Sequence, residues 1–195
     1  MSMRIINLVD LDQAAYRALV RRSAVPDSSI RVAAAEIVNR VHLGGDAALL
    51  SANGEYGGGP AVGSVRVLPE AIGAAFGAAG PAMREALKAA AENILRVHEP
   101  QRPVDDRIEV VPGVVVERRW SPARRAGVYV PGGRAAYPSS VLMGVVPAQV
   151  AGVQEVAVVS PGQADGTVHP LVLAACALLG VDEVYATGGA QAIGA

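Results

Sequence analysis

Two glycine-containing loops, each beside a polar side chain, are the parts of this sequence best suited to chemistry. One loop, PGG at residues 131–133, follows Tyr129, and the other, GGAQ at residues 188–191, ends in Gln191. Glycine lets a bound group approach the backbone, and the N–H groups that open a following helix favour an anion. The Tyr129 hydroxyl and the Gln191 amide suit contacts to a ribose or a pyrophosphate. Neither GxGxxG nor the P-loop pattern is present. The residues alone therefore leave nucleotide binding and ordinary turns of an α/β sheet as alternatives.

The histidines and the cysteine do not form a metal site by spacing. His42, His98 and His169 are far apart in the sequence, and none has a second ligand at zinc-binding spacing. We interpret them as helix-end or loop residues. Cys176 lies in an apolar stretch, which favours a buried structural thiol over a nucleophile. The residues thus indicate no general base, no nucleophile and no metal ligand.

Two further polar groups have both a structural and a functional interpretation. The first is a cluster of arginines around Trp120, namely Arg118, Arg119, Arg124 and Arg125. It suits phosphates or an acidic partner, but a solvated rim is its ordinary role. The second is the pair Ser139 and Ser140, which could contact a ligand but is explained by capping of the following helix.

The composition limits the class of protein to which these residues belong. The chain has 195 residues, of which 51% are apolar and 18% charged, so it is not intrinsically disordered. Its 17 basic and 18 acidic residues give a net charge of −1, which argues against a nucleic-acid partner. One cysteine excludes a disulfide framework, no apolar run reaches the ~18 residues of a membrane span, and the start is unlike a secretory signal. We therefore expect a cytoplasmic protein without a membrane or nucleic-acid partner.

The first part of the chain, residues 1–120, is predicted to be mostly helical. Helical spacing of apolar residues predicts helices before and after Gly44-Gly45, where the glycines break the pattern. Five glycines and a proline predict a loop over residues 53–63, followed by a short strand at 65–68. A long helix is predicted after Pro81. The valine-rich stretch at residues 108–120, with a Pro-Gly turn, predicts a β-hairpin.

The second part, residues 126–195, has the alternating pattern of a parallel sheet. Strands are predicted at about 127–130, 156–160 and 184–187, with helices between them, which gives a β-α-β-α-β unit. The fold class is therefore α/β: a helical N-terminal region followed by an incomplete Rossmann-like sheet. Right-handed crossovers place both helices on one face. We expect the other face to expose an apolar patch unless the first part covers it.

Several sequence runs closely resemble those of histidinol dehydrogenases, over nearly the whole chain. The runs are GVYVPGG at 127–133, YPSSVLM at 137–143, VPAQVAGV at 146–153 and GGAQAI at 188–193. The stretch GDAAL at 45–49, with Asn93-Ile94, His98 and Gln101, agrees. The resemblance implies a zinc-dependent homodimer that oxidises L-histidinol to L-histidine through an aldehyde in two NAD-dependent steps of histidine biosynthesis. It implies that Tyr129 and Gln191 contact NAD.

The resemblance also implies that parts of the family's active site are not encoded here. The Glu-His acid–base pair, the zinc ligands and a GPGN run of the family lie beyond the position of Ala195, so this chain offers no catalytic residue and no metal ligand. Gly144 also differs, since many relatives carry asparagine there. We therefore expect an N-terminal fragment that is inactive alone. The alternative is a non-catalytic nucleotide-binding or assembly module.

Overall fold

The computed structural model describes residues 6–20, 28–132, 135–163 and 165–195. Gly133 of the first glycine loop lies outside the described residues. The helices are α1 Gln13–Val20, α2 Ser28–Tyr56, α3 Pro69–Ala78, α4 Pro81–His98, α5 Pro138–Val150, α6 Pro170–Leu178 and α7 Gln191–Gly194. The strands are β1 Asp106–Val111, β2 Val114–Arg118, β3 Arg125–Tyr129, β4 Glu155–Ser160 and β5 Glu183–Ala186. Short 3₁₀ turns occupy Leu8–Asp10 and Glu99–Gln101.

The α/β prediction is confirmed by a three-stranded parallel sheet in the order β3-β4-β5. The register pairs Val128 with Val158 and Val158 with Val184, so these valines share one face of the sheet. α5 and α6 cover that face, and α3 and α4 pack on α6 and α5 as an outer layer. The buried core runs through all three layers and includes Ile72, Leu87, Val130, Val145, Val158, Val172 and Val184.

A short segment from the first part of the chain extends the sheet beyond β5. Val67 N–H donates to Val184 O at 2.9 Å, and Ala186 N–H donates to Val65 O at 2.7 Å. The pairing is antiparallel, with a single bridge between Arg66 and Tyr185. The stretch predicted as a short strand at 65–68 is therefore a single bridge at the edge of the sheet and not a strand.

α2 differs from its prediction at its second half. A kink at Gly45, with φ 58° and ψ −149°, separates two helical segments where the sequence predicts a break. The second segment continues to Tyr56, so the prediction of a loop from Asn53 is wrong for its first four residues. Leu49, Ala52 and Asn53 are buried there, and this burial stabilises the extra helical turn.

The start of α5 also differs from its prediction. The helix begins at Pro138, and the capping position belongs to Tyr137, which makes no side-chain capping bond. Ser139 and Ser140 therefore lie inside the first turn and do not cap the helix. The fixed φ of proline suits the first helical position and explains the earlier start.

The predicted hairpin is present as antiparallel β1 and β2. Exposed apolar side chains, which we expected on the parallel sheet, are found on this hairpin. Ile108, Val111 and Val116 are each more than half exposed on the hairpin. The sheet face opposite α5 and α6 is instead polar at one end, where Arg125 pairs with Glu155 and Glu183. The expectation of an apolar face is therefore wrong at this end, whereas Ala157 and Val159 lie on the same face further along β4.

Candidate functional site

Tyr129 lies at the carboxyl end of β3, on the sheet face opposite α5 and α6. The register places it beside Val159, which in turn lies beside Tyr185. Its side chain is partly exposed, at 40%. The hydroxyl oxygen accepts a hydrogen bond from the backbone N–H of Gly189 at 3.1 Å. The hydroxyl proton of Tyr129 therefore stays available to donate to a bound group.

Gln191 lies close by, at the start of α7, but its side chain points into the protein. The residue is 2% exposed. Its Nε2 donates to the Gly57 carbonyl at 2.9 Å and to Asn53 Oδ1 at 3.3 Å. Because Gly189 touches both the Tyr129 hydroxyl and the Gln191 side chain, the structure brings the two predicted site residues to one edge of the sheet.

Glycines of the two loops pack closely against another residue of the same chain, Pro161. A Cβ on Gly188 would lie 2.4 Å from Pro161 Cγ, and a Cβ on Gly132 would lie 3.1 Å from Pro161 Cβ. Pro161 follows β4, so both loops close on the end of the central strand. The glycines at these positions are therefore explained by internal packing, while Tyr129 is an exposed polar side chain of the edge.

Asn53 is a buried residue of this edge that the sequence analysis missed. It is 2% exposed. Its Oδ1 accepts from the Thr187 hydroxyl at 3.0 Å, and its Nδ2 donates to the Pro60 carbonyl at 3.0 Å. Asn53 thus ties the end of α2 and the following turn to the loop after β5. Asn53 lies 138 residues from Gln191 in the sequence, so no local pattern identifies it.

The turn after α2 also lies at this edge, against the loops that follow β4 and β5. Gly162 N–H donates to Gly58 O at 3.0 Å, and a Cβ on Gly59 would lie 2.4 Å from the Ala186 carbonyl oxygen. Side chains at Asn53, Tyr129, Thr187 and Gln191 are uncharged hydrogen-bonding groups. Tyr129 is the exposed member of these four and can contact a ligand, and none of the four is a strong base for proton transfer.

The opposite, amino-terminal end of the sheet is charged. Arg125 contacts Glu155 and Glu183, and the Tyr185 hydroxyl donates to Glu183 Oε1 at 2.6 Å. The Tyr185 hydrogen bond, followed by the Arg125 guanidinium, holds the pKa of Glu183 below its usual range. A cavity of about 310 Å³ lies there, lined in part by Arg125, Gln149 and Asp182. It is at the strand end away from Tyr129 and Gln191.

Several of the other residues considered in the sequence have contacts or burial that explain them. His169 Nδ1 accepts from Leu171 N–H at 3.1 Å at the start of α6, and His98 Nδ1 lies 3.0 Å from Gln101 Oε1. Burial raises the pKa of the Cys176 thiol to about 12, which makes it unreactive. Arg118 pairs with Asp106 and Arg119 with Glu117 within or beside the hairpin.

Two observations on the described ranges concern metals and membranes. Among residues 6–20, 28–132, 135–163 and 165–195, no three histidine, cysteine, aspartate or glutamate side chains gather as a metal site. In the same described residues, no helix has both the length and the apolar character that crossing a membrane requires.

Comparison with known proteins relates most of the chain to one family. The family model of histidinol dehydrogenase matches residues 20–195. The histidinol dehydrogenase of Corynebacterium jeikeium (strain K411) is 46% identical over 180 residues, which cover 92% of this chain and 40% of that protein. The enzyme of Thermobifida fusca (strain YX) is 49% identical over 179 residues, which cover 88% of this chain and 41% of that protein.

A solved structure agrees with the sequence relatives. The crystal structure of histidinol dehydrogenase from Elizabethkingia anophelis matches with a TM-score of 0.82 at 28% identity, over 94% of this chain and 42% of that chain. The chain therefore spans about two fifths of the length of these relatives. With a family match over most of its residues and the same fold, the chain belongs to the histidinol dehydrogenase family.

Proposed function

We propose that this chain supplies an NAD-binding edge of a histidinol dehydrogenase, with Tyr129 and Gln191 as its cofactor-binding residues. The reaction is the oxidation of L-histidinol to L-histidine through L-histidinal, in histidine biosynthesis. The observation that carries the proposal is the hydrogen bond from Gly189 N–H to the Tyr129 hydroxyl, which joins the two loops at one sheet edge. In parallel sheets, ligands bind beyond the carboxyl ends of the strands, where this bond lies.

The residues present fit a role in holding NAD. The Tyr129 side chain is 40% exposed, and its hydroxyl proton is free to donate to a cofactor oxygen. Behind it, Asn53 and Thr187 fix the loop that carries Gln191. Residues 126–195 are, in this proposal, the first part of the NAD-binding unit, and residues 1–120 form a helical region that supports it. NAD itself supplies the hydride acceptor for each oxidation.

The same residues do not account for the proton transfers or for zinc. Alcohol oxidation needs a base that takes the hydroxyl proton. Asn53, Tyr129, Thr187 and Gln191 are neutral and provide no such base. In line with the family resemblance, we assign the acid–base pair and the zinc ligands to the part of the enzyme that this chain does not cover. In this proposal the working enzyme is a cytoplasmic homodimer, and the isolated 195-residue chain does not turn over L-histidinol.

Saturation-transfer NMR with NAD and the isolated chain tests the proposed binding edge. We expect transfer to NAD protons, a marked loss of transfer with Tyr129→Ala, and no loss with Tyr16→Ala, a similarly exposed tyrosine on α1. Equal transfer with both variants would contradict the assignment of Tyr129. A second assay tests the proposal that the isolated chain does not turn over L-histidinol. It follows the absorbance of NADH in the presence of L-histidinol, NAD and zinc, and NADH formation by the isolated chain would refute the proposal.

A further inference from the structure

A backbone carbonyl sets the orientation of the Asn53 amide. Asn53 Nδ2 donates to the Pro60 carbonyl oxygen at 3.0 Å, and a carbonyl oxygen can only accept. Turning the amide over would place Oδ1 against that oxygen. Oδ1 therefore faces the other way, where it accepts from the Thr187 hydroxyl at 3.0 Å.

The same argument fixes the amide of Gln191. Its Nε2 donates to the Gly57 carbonyl at 2.9 Å and to Asn53 Oδ1 at 3.3 Å, and both partners are acceptors. A side-chain amide has two N–H bonds, so both are used within the protein. The reversed orientation would place Oε1 against two oxygens. The Gly57 carbonyl fixes the orientation of the amide, and Asn53 occupies its second N–H, so the carbonyl oxygen of Gln191 is the atom that remains for a ligand.

The remaining atom is Oε1, and it lies beside Gly189. A Cβ on Gly189 would be 2.5 Å from Gln191 Oε1, so only glycine at this position lets the Gln191 carbonyl lie against the loop backbone. The backbone N–H of the same glycine bonds to the Tyr129 hydroxyl. The carbonyl of Gln191 and the hydroxyl of Tyr129 therefore flank one residue, and neither group carries a positive charge.

We propose that Asn53 is a positioning residue that holds Gln191 as a hydrogen-bond acceptor, so that the group of NAD bound by Gln191 is a donor. A ribose hydroxyl or an amino group meets this requirement, and a phosphate oxygen does not, because it can only accept. This inference rests on the proposed function, which brings NAD to Gln191.

NMR of the 13C,15N-labelled chain tests the inference with two probes, NAD and inorganic pyrophosphate. Without a probe, the Gln191 side-chain NH₂ protons should exchange slowly and show coupling across the hydrogen bond to the Gly57 carbonyl carbon. NAD should shift the Gln191 Cδ resonance and leave the NH₂ resonances in place, while pyrophosphate should shift neither. Fast NH₂ exchange in the free chain, or a shift of the NH₂ resonances by either probe, would overturn the inference.

Two variants separate positioning from a merely structural role. Asn53→Leu removes the acceptor and frees one N–H of Gln191, so pyrophosphate should now shift the NH₂ resonances. Thr187→Val removes the other hydrogen bond to Asn53 Oδ1 but keeps the acceptor for Gln191, so it should preserve the wild-type response. If Asn53→Leu does not fold, the comparison of NAD with pyrophosphate on the wild-type chain still tests whether Gln191 acts as a hydrogen-bond acceptor. An absence of NAD shifts at Tyr129 and Gly189 as well would overturn the proposed function, whereas shifts there with the wrong Gln191 atom overturn only the present inference.

Discussion

The hydroxyl oxygen of Tyr129 accepts a hydrogen bond from the backbone N–H of Gly189 at 3.1 Å, and this bond joins the ends of the two outer parallel strands. β4 lies between β3 and β5, and Pro161 at its end packs close to Gly132 and Gly188. The edge proposed to hold NAD is therefore built by long-range contacts between loops.

Replacing Tyr129 by phenylalanine should weaken this junction without disturbing the core. The change removes one exposed hydrogen bond, so we expect the free energy of unfolding to fall by about 0.5–1 kcal/mol. Urea unfolding measures the difference, and amide exchange at Gly189 should become faster. Tyr16→Phe on α1 is the matched control and should leave both quantities unchanged. Unaltered exchange at Gly189 would show that the hydroxyl does not hold the loop.

Replacing Asn53 by alanine should cost more, because the lost hydrogen bonds are buried. Thr187 and Gln191 would each lose an acceptor, and the Pro60 carbonyl would lose a donor. An unsatisfied buried polar group costs about 1–3 kcal/mol, so we expect a loss of at least about 2 kcal/mol.

Chemical denaturation of the Asn53 variant should be compared with Asn93→Ala, which changes an exposed asparagine on α4. That control should alter the free energy of unfolding by less than about 0.5 kcal/mol. Equal effects of the two substitutions would mean that the network around Asn53 does not stabilise the fold.

Two glycine-to-alanine substitutions should change the stability of the chain in opposite directions. A Cβ on Gly188 would lie 2.4 Å from Pro161, so Gly188→Ala should destabilise the chain and disturb the Tyr129 junction. A Cβ on Gly73, in the middle of α3, meets nothing within 4 Å, so Gly73→Ala should stabilise the chain by roughly 0.5–1 kcal/mol. Thermal unfolding of both variants measures the signs, and a stabilising Gly188→Ala would contradict the close packing on Pro161.

Much of the fold could be predicted from local sequence patterns, because they reflect local physics. Periodicity and turn residues predicted the β-α-β-α-β order, the hairpin and the long helix that ends at His98. The motif positions of Tyr129 and Gln191 also predicted a shared sheet edge, because carboxyl ends of parallel strands meet there.

The parts that could not be predicted depend on contacts between distant residues. Asn53 lies in a glycine-rich stretch that favours a loop, yet burial against Thr187 and Gln191 keeps it helical. The loop glycines suggested space for a ligand, whereas Pro161 occupies the space beside Gly132 and Gly188. Neither outcome has a signal in the neighbouring sequence.

The charged end of the sheet predicts a defined pH dependence of stability. The Tyr185 hydroxyl and then Arg125 lower the pKa of Glu183 from its ordinary value of 4.5. A carboxyl with a lowered folded-state pKa stabilises the fold above the unfolded-state value, and this contribution is lost as the pH falls through the folded-state value. Glu183→Gln should therefore be less stable than wild type at pH 7, and the difference should shrink below about pH 4.5.

Urea unfolding from pH 7 to pH 3 measures this difference. Glu36→Gln, a change of an exposed carboxylate on α2, is the control and should follow the wild-type curve. A constant difference between Glu183→Gln and wild type across this range would contradict the assigned hydrogen bond and ion pair.

The central claim is that this chain provides the NAD-binding edge of a histidinol dehydrogenase, and a chimaera tests it most directly. In it, residues 20–195 replace the matching segment of the Thermobifida fusca enzyme, which is 49% identical over 179 residues. We expect NAD-dependent oxidation of L-histidinol, and a KM for NAD that rises about tenfold with Tyr129→Ala while the KM for L-histidinol stays unchanged; tenfold corresponds to about 1.4 kcal/mol of binding. A folded chimaera without activity, or one whose KM for NAD ignores Tyr129→Ala, would contradict the account.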